Sequence, residues 1–196
     1  MIFDLTKGNY KNIKATGAGF QKLPPGAYVC QIKAVDTPTV EGQGKRLDLN
    51  VDICEGEFSN YFTDKMNRSD DKKFPSVSQF GRYVYDMQKK EYLPAFKGVI
   101  TTLEKNNSDF VAGDGFDSEK LVGLKVGGVY NEKEFETSDG SIRTFTQLKW
   151  LCDIQDVREG KVKIPSIEKL QSKPKNNSDE IDHFSGQNVS DDDIPF

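Results

Sequence analysis

Between residues 45 and 54 the chain reads KRLDLNVDIC, and from 46 to 53 polar and apolar positions alternate without a break. Leu47, Leu49, Val51 and Ile53 point one way; Arg46, Asp48, Asn50 and Asp52 point the other. This period of two predicts a strand with one buried face and one exposed, charged face. GAYVCQIKAV at 26–35 is a mostly apolar, β-favouring run that predicts the strand before it. EFSNYFTD at 57–64 follows a short EG turn and predicts a third strand, paired as a hairpin with the second. It would bury Phe58 and Phe62 and expose Ser59, Tyr61 and Thr63. The period then changes. Val77, Phe80, Val84 and Met87 are spaced 3, 4 and 3, which predicts a helix with Pro75 in its first turn. A second helical run starts at Pro94, with Phe96, Val99, Ile100 and Leu103 on one side. EKNNSD ends it, and a Gly-rich loop, VAGDGFD, leads onward.

Strand signals return at 121–137, where Gly127 and Gly128 predict a bulge or sharp bend. SDG predicts a hairpin turn. The run at 141–157 alternates again, with Ile142, Leu148, Trp150, Cys152 and Ile154 on one face and Thr144 and Thr146 between them. Arg143, Phe145, Gln147 and Lys149 fall on the other face. Three strands, helices, then two strands is the element order of an OB-fold. The expected class is therefore mainly β: an OB-fold-like five-stranded barrel with a helical insert between strands 3 and 4. Such barrels bind oligonucleotides on the face of strands two and three and through loops 1–2 and 4–5. Here those loops would be DTPTVEGQGK and TSDGS.

Charge divides the chain in two. Of 196 residues with a net charge of −4, residues 171–196 hold two lysines against six acids and so carry all of that excess. That segment is rich in Ser, Asn and Asp and buries too little to offset its own ordering entropy. We expect a domain over 1–170 and a disordered acidic tail over 171–196. The start, MIFDLTKGNY, lacks the pattern of a signal peptide, and no apolar run reaches the roughly 18 residues of a membrane span. A cytoplasmic protein with no membrane association is expected.

Three cysteines without a close pair (Cys30, Cys54 and Cys152) and a single histidine, His183, offer neither a disulfide framework nor a transition-metal set. The cysteines read as core thiols. Phosphate-loop, nucleophile-elbow and zinc-protease motifs are missing. Asp70 and Asp71 read as solvated charge. No enzyme activity, metal or cofactor is expected, although acids from distant positions can still converge.

The aromatic residues point elsewhere. The chain has 13 Phe, 7 Tyr and 1 Trp, and some interrupt polar strand faces beside cations. Phe145 lies between Arg143 and Lys149. Phe135 shares its face with Lys133. Tyr61 is followed by Lys65 and Arg68. A ring stacks a base for about 1–3 kcal/mol while a neighbouring cation meets a phosphate, without need for a particular base. With Arg46 on strand two, these nine residues are the candidate surface for single-stranded nucleic acid. The alternative is that the rings form cross-strand pairs that only stabilise the sheet.

The last six residues are Asp191, Asp192, Asp193, Ile194, Pro195 and Phe196. Pro195 and Phe196 suit a small apolar pocket, a terminal carboxylate suits a cation, and the aspartates suit a basic rim. DDDIPF resembles the C-terminal tip of bacterial single-stranded DNA-binding proteins, which follows an OB domain and a linker and docks onto replication, recombination and repair enzymes. FKGVITTLEKNNSDF, LVGLKVGGVYNEKEF and REGKVKIPSIEKL resemble replication-module proteins of phages that infect Gram-positive bacteria. MIFDLTKGNY departs from the bacterial family. Together the resemblances imply a phage protein that coats single-stranded DNA and recruits replication or repair proteins through residues 191–196. An adaptor that imitates the host tip, or a phage replication enzyme, are the competing expectations. Oligomeric state is left open, a homo-oligomer included.

Overall fold

The computed structural model describes residues 21–170. The expected acidic tail with its tip, and residues 1–20, lie outside the described residues. The strands are β1 (Gly26–Asp36), β2 (Thr39–Val40), β3 (Gly44–Ile53), β4 (Gln79–Tyr83), β5 (Tyr85–Asp86), β6 (Glu91–Tyr92), β7 (Lys125–Glu136) and β8 (Ile142–Cys152). The helices are α1 (Tyr61–Arg68), α2 (Pro94–Asn106) and α3 (Ile154–Arg158). Strands dominate, as the alternating runs predict.

The main sheet is antiparallel and runs β4-β3-β1-β7-β8, with short β2 pairing the first residues of β3. Hairpin β5–β6 stands apart. The sheet curls until β4 approaches β8, but no backbone hydrogen bond among the described residues joins them. The sheet expected to form a five-stranded barrel therefore does not close, and a seam lies between β4 and β8.

β3 lies between β1 and β4. Leu47, Leu49, Val51 and Ile53 are all buried, as alternation predicts. The opposite face is not the exposed surface expected: Asp48 and Asp52 are buried too. Asp48 is covered by Arg46, which grips it with two hydrogen bonds of 2.7 and 2.6 Å. Asp52 accepts from the backbone N–H groups of Ile53, Phe62 and Thr63 at 2.8 to 2.9 Å. Phe62 and Thr63 open α1, whose own N-cap, Asn60, makes no side-chain cap. Asp52 supplies that cap from the neighbouring strand, and its charge suits the positive helix end.

Two elements differ from expectation. Residues 57–64 form a turn and the start of α1, not a strand. Phe58 and Phe62 are four apart, a spacing that fits both periods, and the amide acceptor Asp52 favours the helix. Residues 76–87 form a 3-10 turn (Ser76–Ser78), β4 and β5, not a helix. Only Phe80 of the expected apolar stripe is fully buried, and Met87 is exposed. The third strand therefore exists, but it is Gln79–Tyr83, and α1 is an insertion before it.

α2 forms as predicted, with Pro94 in its first turn and Val99, Ile100 and Leu103 buried. They join Cys30, Ile32, Phe62, Val126, Tyr130 and Leu148 in one core. β7 and β8 pair as the expected hairpin, with Lys149 as an extra residue where Val129 opposes Trp150 and Tyr130 opposes Leu148. The bulge thus sits opposite β7, not at Gly127–Gly128. It offsets the alternation, so Leu148 and Trp150 do not share one face. Gly127 and Gly128 serve packing. A Cβ on Gly127 would stand 2.6 Å from Cys152 Sγ and 2.8 Å from Val157 of α3. β8 stops at Cys152, where Asp153 caps α3 by accepting from Gln155 N–H at 2.9 Å.

Candidate nucleic-acid interface

α1 changes the relation among three of the candidate residues. Tyr61, Lys65 and Arg68 fall at i, i+4 and i+7 and lie along one stripe of the helix. Tyr61 is half-buried. Its hydroxyl donates to the Gln21 carbonyl at 2.9 Å and accepts from Leu23 N–H at 3.1 Å, fixing the segment that leads into β1. Lys65 and Arg68 are exposed.

That segment lies against β8. The Thr146 hydroxyl donates to the Leu23 carbonyl at 2.6 Å, and Lys22 reaches Glu132 and Thr144. A cleft of about 220 Å³ opens here, lined by Tyr61, Lys65, Val77, Thr144 and Phe145 among others. Val77 belongs to the turn that leads into β4. The cleft therefore sits at the mouth of the seam, between α1 and the edge of β8.

The β7–β8 hairpin assembles a second group. Lys133 pairs with Phe145, and Phe135 pairs with Arg143. Directly opposed residues share a face, so these four stand together. The two rings meet edge to face with centroids 5.5 Å apart. Phe135 keeps over a third of its surface exposed, and Arg143 is exposed. Phe145 belongs to both groups, so ring and cation run from the cleft onto the hairpin face.

Two candidates are neutralised. The guanidinium of Arg46 is held by Asp48, as above. Lys149, at the bulge, pairs with Glu168. Glu168 lies on a strap, residues 161–170, that returns along the outer edge of β7. Its N–H donates to the Glu132 carbonyl and its carbonyl accepts from Glu134 N–H, both at 2.8 Å. Burial opposes ionisation of Glu168, but hydrogen bonds from Lys149 and Asn131 and the charges of Lys149 and Lys133 outweigh it. Its carboxyl is held below the usual glutamate range. Nearby, Asn131 is fully buried and its side-chain carbonyl has no hydrogen-bond partner.

Arg82 was missed by the sequence reading. It stacks on Phe80, with 4.1 Å from its guanidinium carbon to the ring centroid. It falls within the stretch whose spacing mimics a helix, off the apolar stripe, where it counts as a solvated side chain.

Among the described residues no group of three or more His, Cys, Asp or Glu is placed to hold a metal ion. Cys30 is buried and Cys54 and Cys152 half-buried. Burial pushes the Cys152 thiol up to about 11 and Cys30 further, so both stay protonated and unreactive at neutral pH. No described helix is long and apolar enough to cross a membrane. Comparison with protein-family models and with curated proteins finds no match to this chain.

Proposed function

We propose that this chain binds single-stranded nucleic acid, DNA in the first instance, without base readout. The observation that carries the proposal is the continuous run of rings and cations from the cleft to the β7–β8 face: Tyr61, Lys65, Phe145, Phe135, Arg143 and Lys133. Rings stack bases of any identity, and the cations meet phosphates. The strand path supports an OB-like architecture. β1 pairs with the second and fourth long strands, the fifth follows the fourth, and α2 lies between the third and the fourth. The seam is then the place where such a barrel stands open.

Residues 191–196 would recruit replication, recombination or repair proteins, by the resemblance of DDDIPF to the tip of bacterial single-stranded DNA-binding proteins. A phage origin rests on the resemblance of the body segments. Anisotropy of a labelled mixed-sequence oligonucleotide, as single strand and as duplex, tests the first part. Preference for the single strand is expected; equal affinity for both, or none for either, refutes it. Deleting residues 191–196 is expected to abolish co-purification with such enzymes and to leave oligonucleotide binding intact or stronger.

A second reading is favoured by the carboxylates on Arg46 and Lys149. With those two cations neutralised, the sheet suits a protein partner, and the chain would act as an adaptor. Partner capture without single-strand binding would select it.

A further inference from the structure

Arg82 stands out among the cations of the described residues. It lies on β4, opposite Leu47 of β3 and on the same face as buried Phe80. It is half-buried, and loss of water lowers its pKa. Arg46, Lys22, Lys125, Lys149 and Arg158 each hold a carboxylate. Arg82 holds none among the described residues. Its one hydrogen bond goes from Nη1 to the neighbouring Gly81 carbonyl, at 2.9 Å. A guanidinium has five N–H donors, so four remain. Two acids close to it in register or sequence are engaged elsewhere. Asp48 is gripped by Arg46, and Asp86 accepts from the N–H groups of Gln88 and Lys89 in its own turn.

A partly desolvated charge without a counter-ion is unfavourable unless an anion completes it. Stacking on Phe80 fixes the plane of the guanidinium, which presents its donors in the fork that matches a phosphate. β4 has β3 on one side and the open seam on the other, so the free approach is from the seam. The cleft with Tyr61, Lys65 and Phe145 begins at Val77, five residues earlier on the same wall.

We infer that Arg82 is the phosphate-holding residue of the seam, so that a strand seated in the cleft continues along β4. The inference rests on the single-strand reading above and assigns that site its anchor for a phosphodiester. The full chain with Arg82→Gln and with Arg82→Lys tests it, using labelled oligothymidine and oligocytidine across a salt series. A phosphate contact carries no base information. Arg82→Gln should therefore weaken both probes alike, roughly tenfold, and reduce the log–log salt slope by about 0.7. Arg82→Lys should keep the slope and lose several-fold in affinity, because a point charge cannot replace the fork. Thermal unfolding reports whether each variant is folded; if Arg82→Gln is not, the lysine variant alone decides. Wild-type binding with an unchanged slope in folded Arg82→Gln, or unchanged affinity in Arg82→Lys, overturns this assignment only. A wild-type chain that binds no single strand overturns the single-strand reading and this assignment together.

Discussion

Asp52 puts a fully buried carboxylate near the end of β3, and its three backbone hydrogen bonds explain why the fold tolerates it. Asp52→Asn replaces one acceptor by an amide donor facing backbone N–H groups. A buried donor left unmade costs about 1–3 kcal/mol. Loss of roughly 2–4 kcal/mol in urea unfolding is expected, with α1 the first element to lose exchange protection; a loss below 1 kcal/mol would mean that α1 is capped otherwise. Gly81 is a similar case. It faces Asp48 across the β3–β4 ladder, and a Cβ there would stand 2.5 Å from Asp48 Oδ1. Gly81→Ala should push the carboxylate off Arg46 and cost about 1–3 kcal/mol; unchanged stability would show that the pair can shift freely. The direction in which each of these side chains points was legible in the sequence, because period two places Asp48 and Asp52 opposite Leu49 and Val51. Their burial was not. The groups that cover Asp52, the amides of Phe62 and Thr63, come from an element that the same alternation reads as a strand.

At the scale of elements, long runs of one period were read correctly and short ones were not. β3, α2 and the β7–β8 hairpin each sustain a pattern that only one geometry satisfies. Phe58 with Phe62, and Phe80 with Val84, are four apart and fit helix and strand alike, and tertiary partners decided both. The strap at 161–170 docks through backbone bonds to β7, through the side chain of Glu168 and through a bond of 3.0 Å from Leu170 N–H to the Glu134 carboxylate, none of which a hydrophobic period encodes. The fold holds that carboxyl below its ordinary value of 4.5, so the ionised form favours docking. This stabilisation is complete above about pH 4.5 and fades as pH falls through the depressed value. The pair is partly exposed, so Glu168→Gln should cost under about 1 kcal/mol of global stability. It should instead lower amide protection at Glu134 and Glu168, corrected for intrinsic exchange, and abolish the acid-dependent loss there. The same acid dependence in the variant would assign the effect to another group. By freeing Lys149, Glu168→Gln should also raise oligonucleotide affinity.

For the molecule as a whole, the distribution of charge limits what binding can look like. All the net charge lies in residues 171–196, and the remainder is balanced. Duplex binders normally carry a basic excess, so a balanced body must rely on a few placed cations and on stacking. Of the basic residues along the proposed path, Arg46 and Lys149 are bound to carboxylates. Lys65, Arg82, Lys133 and Arg143 are in no ion pair among the described residues. Four phosphate contacts would give a log–log salt slope of about −2.8 for a single strand, at roughly −0.7 per contact. The expected slope is therefore shallow, between about −2 and −3, and much of the affinity should persist at high salt because stacking does not depend on counterion release. Phe135→Ala should weaken binding at every salt concentration without changing the slope, by the roughly 1–3 kcal/mol of one stacked base. A steep slope that falls with removal of residues 171–196 would mean that the acidic segment, rather than the balanced sheet, sets the salt response.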